Sequence, residues 1–150
     1  MSPVDYIPLV TSDVPWRVQP KLNDDNRSFW TSGATGALRI HRCGNCRYWI
    51  HPPSPACPVC RSREVAPEPV TGLATVLTHT VNHQVWDAAS PEPYSIAIVT
   101  LDEQEDLRLT TNIVGCEPSE VVHGMRVHVV FENHGEIYVP LFAPGGSDDV

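Results

Sequence analysis

Two cysteine pairs constrain this chain more than anything else in it. Cys43 and Cys46 stand in a C-x-x-C turn, Cys57 and Cys60 repeat the spacing, and ten residues separate the pairs. Such a turn aims two thiolates at one point and leaves backbone N–H groups free to hydrogen-bond the sulfurs. Two turns on facing hairpins supply four soft ligands in a tetrahedron, the geometry that suits Zn²⁺. Gly44 and Pro58 favour tight knuckles, whereas Arg61 follows Cys60 where a glycine is often found. With cysteine at all four positions no site is open to water or substrate, so this metal is expected to be structural. Loss of any one thiolate should unfold a segment too small to hold itself. Two disulfides or a redox pair are competing uses of the same spacing, and an iron centre of the rubredoxin kind uses the same four thiolates.

The compartment bears on that choice. Residues 1–16 lack a positively charged start followed by an apolar core, and no apolar run approaches the ~20 residues that span a bilayer. A cytoplasmic location is the expectation, and reduced thiols there favour metal over disulfide.

Charge is unevenly placed along the 150 residues, whose net charge is −8. Residues 1–38 carry Asp5, Asp13, Asp24 and Asp25 against Arg17, Lys21 and Arg27. Residues 39–63 hold Arg39, Arg42, Arg47, Arg61 and Arg63 and no carboxylate. Residues 64–150 hold fourteen Asp and Glu against Arg108 and Arg126. Four thiolates on Zn²⁺ leave the cysteine segment with about three positive charges. An anion is therefore expected to meet Arg42, Arg47, Arg61 and Arg63, and a long phosphate backbone is repelled by the rest. The plainer role for these arginines is support of the thiolates and solubility.

The remainder reads as a mainly β chain. Residues 1–23 form an extended, proline-rich arm, ordered against a partner. Residues 24–38 hold a short helix over Asn26–Ala37, capped by Asp24 or Asp25, with Phe29 and Trp30 as core anchors or partner contacts. Residues 39–66 form the metal ribbon, in which Tyr48 and Trp49 pack on the next unit or stack on a ligand. Pro67 and Pro69 mark a linker. Residues 67–144 carry five strands: 70–83, 94–101, 107–114, 126–133 and 137–142. Leu73, Thr75, Leu77, His79, Val81 and His83 fall on one face of the first. Residues 102–106 (DEQED) form an acidic tip, and Glu117–Gly124 a helical turn between the third and fourth strands. That order suggests a five-stranded barrel of the OB type. Residues 145–150 are a flexible tail.

No catalytic constellation stands out. His79 and His83 lie near Asp87 and Glu92, and His51 lies in the ribbon loop. Histidine needs an oriented partner to act as a base. There is no G-x-S-x-G, and Cys116 has no flanking histidine. His123, His128 and His134 read as structural or solvated.

Taken together, SFW at 28–30, LRIHRCGNCRYWIHPPSPACPVC at 38–60, GLATVLTHTV at 72–81 and PYSIAIVTLDE at 93–103 resemble a known family. LTTNIVGCEP at 109–118, GMRVHVVFE at 124–132 and VPLFAP at 139–144 extend the match to about residues 24–144. This is the zinc-ribbon OB-fold family, once a domain of unknown function, encoded beside thiolases. The resemblance implies an N-terminal helix, a rubredoxin-like zinc ribbon and an OB barrel. It implies a non-catalytic partner, in a hetero-oligomer, of a thiolase-fold enzyme acting on acyl-CoA: a thiolase, an acyltransferase, hydroxymethylglutaryl-CoA synthase or a steroid side-chain aldolase of the lipid-transfer type. It places the ribbon and barrel near the path of CoA. On the reading of the residues themselves, Phe29, Trp30 and Trp49 are the candidate partner contacts. The rival reading is a single-stranded nucleic-acid-binding OB protein, which would need basic and aromatic residues along the barrel. An independent hydrolase or lyase lacks its nucleophile and base.

Overall fold

The computed structural model describes residues 17–86, 88 and 91–145. Residues 1–16 of the expected arm, residues 146–150 of the expected tail, and Asp87 lie outside them.

The N-terminal helix is shorter than its pattern suggests. α1 covers only Arg27–Trp30, followed by a 3-10 turn at Ser32–Thr35. Asparagines, not Asp24 or Asp25, organise its start: Asn23 Oδ1 accepts from the N–H groups of Asp25 (2.9 Å) and Asn26 (2.8 Å). Side chains then compete with the helix ladder. The Thr31 hydroxyl donates to Arg27 O (2.7 Å) and the Ser32 hydroxyl to Phe29 O (2.9 Å). Gly33 must also lie against the barrel, because a Cβ there would stand 2.5 Å from Tyr138 Cβ.

The cysteine segment is a three-stranded antiparallel sheet. Its strands are β1 (Arg39–Cys43), β2 (Trp49–Ile50) and β3 (Val65–Pro69), in the order β2-β1-β3. Pro67 and Pro69 are thus edge-strand residues, not a linker. Gly44 N–H donates to Glu64 O (2.6 Å) and Val70 N–H to Leu38 O (2.9 Å), so the even-numbered residues face β1. The two prolines, which have no N–H to give, face outward.

Five antiparallel strands make the barrel: β4 (Leu73–Asn82), β5 (Tyr94–Leu101), β6 (Arg108–Thr111), β7 (Arg126–His134) and β8 (Ile137–Pro144). Their order is β6-β5-β4-β7-β8. One parallel bridge, Ile113 with Phe142, nearly closes it, through Val114 N–H to Phe142 O (2.8 Å) and Phe142 N–H to Asn112 O (3.2 Å). Pro140 cannot extend that seam, and its carbonyl instead accepts from the Thr111 hydroxyl (3.2 Å). The segment between β6 and β7 holds a 3-10 turn at Pro118–Glu120, as the OB pattern requires.

The single face expected from Leu73 to His83 is broken. The register slips between Val76 and Thr78, which is a β-bulge. Before it, Ala74 and Val76 pair inward with Leu101 and Val99; after it, His79 pairs with Ala97. One extra residue moves every later side chain to the other face.

Inside the barrel lie Val76, Val99, Leu101, Val127, Val129, Phe131 and Phe142, all 1 % exposed or less. Phe29, Leu38, Ile40 and Trp49, from α1 and the ribbon, join the same core. Each such side chain contributes about 2 kcal/mol by leaving water. A second cluster, Val130, Ile137, Val139 and Leu141, lies on the opposite face of β7 and β8 under Leu22 and Trp30. The described part of the arm therefore packs on its own barrel.

Candidate metal centre and ribbon–barrel junction

Each knuckle builds itself from local hydrogen bonds. Cys43 Sγ accepts from the N–H groups of Asn45 and Cys46, both at 3.4 Å, and Cys57 Sγ accepts from Val59 N–H at 3.4 Å. The turns close through Arg47 N–H to Cys43 O (3.1 Å) and Arg61 N–H to Cys57 O (2.9 Å). Arg47 and Arg61 occupy equivalent left-handed positions, with φ of 68° and 66°.

The four sulfurs converge. All lie within 4.8 Å of one another, with Cys43 and Cys60 at 3.5 Å and Cys46 and Cys57 at 3.6 Å. A tetrahedral Zn–S bond of about 2.3 Å separates sulfurs by about 3.8 Å, so the donor set fits Zn²⁺ with little movement. All five cysteines are free, which sets aside the disulfide alternative. Thiolate charges at such distances oppose one another. The Cys60 thiol is drawn down to about 6, chiefly by the Asn45 side-chain amide and then by the Ser62 N–H. Cys46 is pushed up to about 12: the Tyr48 N–H, its largest influence, favours the thiolate, but desolvation and the other three sulfurs together outweigh it. A bound dication removes that conflict, because it lets all four ionise.

The four arginines expected to act together separate into two pairs. Arg42 donates through Nε to Arg47 O (2.8 Å), and its guanidinium lies 4.3 Å from the Trp49 ring centre. Arg42 and Arg47 both approach Glu68 Oε1, at 3.8 and 2.9 Å. Glu68 lies on β3, just past the carboxylate-free stretch, and sheet pairing brings it back. Arg61 and Arg63 are exposed and have no partner among the described residues. The candidate partner aromatics divide likewise. Phe29 and Trp49 are 5 % and 6 % exposed, so both are core residues and their faces are taken up within the chain; Trp30 is half-buried.

The acidic DEQED stretch is a clasp rather than a free tip. The Asp102 carboxylate takes both Arg126 Nη atoms at 2.7 Å. Glu103 accepts from Thr71 N–H (2.8 Å), and Asp106 accepts from the Tyr48 hydroxyl (2.5 Å). Gln104 accepts from Trp49 N–H and donates to Trp49 O, both at 3.0 Å. The turn between β5 and β6 thereby ties β2 of the ribbon to the barrel. The partners of Gln104 lie 55 residues away, so no local pattern could mark them.

A second network escaped the sequence reading. Glu132, 5 % exposed on β7, accepts from Arg17 Nε and lies 2.7 Å from His134 Nε2. Arg17 Nη2 also donates to Asn112 Oδ1 (3.1 Å). This fastens the arm to β7 and to the segment after β6.

The remaining histidines stand apart. His79 and His83 are exposed. His123 Nδ1 donates to Leu77 O (2.6 Å), and His128 Nδ1 to Gly145 O (3.2 Å). Burial, then the neighbouring His41, holds His51 down at about 4, and its ring packs 4.8 Å from Phe29. Ser28 Oγ lies 3.2 Å from His41 Nε2, but the buried His41 Nδ1 has no hydrogen-bond partner among the described residues to orient it, so the pair serves to hold α1 against β1. Burial raises the Cys116 thiol, helped by Glu120 and Glu117.

Comparison with known proteins agrees with this geometry. Residues 30–66 match the model of the ChsH2 rubredoxin-like zinc ribbon domain, and residues 67–132 match that of the ChsH2 C-terminal OB-fold domain. A chain of the solved structure "Ltp2-ChsH2(DUF35) aldolase" is 35% identical and superposes with a TM-score of 0.73, over 84% of this chain and 98% of that one. The protein belongs to the ChsH2 (DUF35) family. A probable enoyl-CoA hydratase alpha subunit of Thermomonospora curvata is 34% identical to this ChsH2-type chain over 85% of its length. The match spans only 40% of the hydratase subunit. A DUF35 domain-containing scaffold protein of Methanocaldococcus jannaschii is 38% identical over 60% of this chain and 64% of its own. In this ChsH2-type chain, no helix among the described residues is long and apolar enough to cross a membrane.

Proposed function

We propose that this chain is a non-catalytic accessory subunit. It docks on a thiolase-fold or lipid-transfer-type enzyme in a hetero-oligomer and assists that enzyme's acyl-CoA substrate or its stability. One observation carries the reading: nearly the whole of a solved chain from an aldolase assembly is matched in sequence and shape. The match to a zinc ribbon domain and the four filled thiolate positions support a structural Zn²⁺ and no chemistry at it. Among the described residues no histidine has both a nucleophile and an orienting acceptor, which fits a subunit that lends surface rather than catalysis. The nucleic-acid alternative has little to stand on, because Arg126 is committed to Asp102, which leaves Arg108 as the one other arginine or lysine against fourteen carboxylates in residues 64–150. If CoA phosphate touches this chain, Arg61 and Arg63 are the pair free to meet it.

Co-expression with the thiolase-like product of a neighbouring gene tests this. The expected result is a stable complex by light scattering and higher enzyme turnover of acyl-CoA. A chain that elutes alone and leaves that turnover unchanged defeats the proposal.

A further inference from the structure

A cleft of about 760 Å³ lies between α1, the His51–Pro53 loop of the ribbon and the open seam between β6 and β8. That volume is in the range of sites that enclose a small organic ligand. Its origin is the seam itself. Leu101 N–H donates to Leu107 O (2.9 Å), and Val99 and Ala97 pair with Leu109 and Thr111, so the odd-numbered residues of β6 face β5. Arg108 and Thr110 therefore turn their N–H and C=O groups toward the cleft, where β8 presents Pro140. Pro140 has no N–H to offer them.

The lining is amphipathic. Half-buried Trp30 and Ile96, with Pro52, supply apolar surface. Arg108 is exposed and has no partner among the described residues, whereas Arg17 is engaged by Glu132 and Asn112. Asp25 lines the cleft as well, from the loop before α1.

We propose that this cleft binds an apolar molecule with one anionic end. The anion meets the Arg108 guanidinium and the Thr110 N–H, and the apolar body lies against Trp30, Ile96 and Pro52. An anion gains most from this pairing, since a guanidinium beside a backbone donor can hold it through charge-assisted hydrogen bonds. The site is independent of the accessory-subunit reading, because it belongs to this chain alone.

The test uses two naphthalene dyes on the metal-loaded full chain: anionic 8-anilinonaphthalene-1-sulfonate and neutral N-phenyl-1-naphthylamine. The sulfonate should saturate at one per chain. Arg108→Gln should weaken it about tenfold, the loss of one charged hydrogen bond. The same variant should leave the neutral dye unchanged. Ile96→Ala should weaken both dyes, and Arg39→Gln, on β1 and outside the cleft, should affect neither. Sulfonate binding that is absent, does not saturate, is unmoved by Arg108→Gln, or falls equally with Arg39→Gln overturns the proposal.

Discussion

Arg61 shows how much one backbone angle can matter. Its φ of 66° lies in the left-handed region, which costs a side-chain-bearing residue roughly 1 kcal/mol that glycine escapes. Its N–H closes the second knuckle on Cys57 O, so the conformation is obligatory. Arg61→Gly should therefore raise the stability of the metal-loaded protein by up to about 1 kcal/mol, and Arg61→Val should lower it by a similar amount or more. Thermal unfolding at saturating Zn²⁺ reads both; equal melting temperatures for the two variants would refute the argument. The departure from glycine after Cys60 is visible in the sequence, but the matching strain at Arg47 needed the turn geometry to be seen.

Among elements, the turn between β5 and β6 has the clearest consequence. Gln104 satisfies the N–H and C=O of Trp49, a residue 6 % exposed. Removing its amide strands two backbone groups at once, each costing about 1–3 kcal/mol when buried. Gln104→Ala should destabilise the chain by about 2–4 kcal/mol on that basis. It should also accelerate amide exchange in β1 and β2 beyond that in β7. The neighbouring Glu105→Ala, on an exposed side chain, is the control expected to change little. Exchange that rises evenly across ribbon and barrel would mean the clasp is not specific. The strands themselves were largely legible, because their apolar alternation is local. The bulge in β4, the pairing of β3 and the early end of α1 were not. Each depends on a neighbour supplied by distant chain: β5 for the bulge, β1 for the prolines, Tyr138 for Gly33.

At the scale of the molecule, ribbon and barrel share one core. Cys43, Ile50 and Cys57 cluster within the ribbon, while Ile40 and Trp49 join the core that holds Phe131 and Phe142. Metal binding is folding energy for the ribbon. It should reach the barrel too, since exposing Ile40 and Trp49 costs about 2 kcal/mol each in lost burial. Removing the metal with a chelator at neutral pH should lower the temperature at which the barrel's far-ultraviolet β signal is lost, and Zn²⁺ should restore it. A barrel transition that stays put while the ribbon unfolds would show two separate units.

What the sequence determined alone is the chemistry that needs only spacing: four thiolates set for one metal, the β alternation, the excess of carboxylate, and the family motif. Local periodicity and short ligand spacing survive any arrangement of the rest. What only the tertiary structure decided is which charges remain free. The sequence offered four arginines as one anion site; folding spends Arg42 and Arg47 on Glu68, leaves Arg61 and Arg63 open, and sets Arg108 on a cleft at an unclosed seam. The reason is physical. A charge is available or neutralised according to what lies within a few ångströms of it, and that neighbourhood is assembled from strands far apart in the chain.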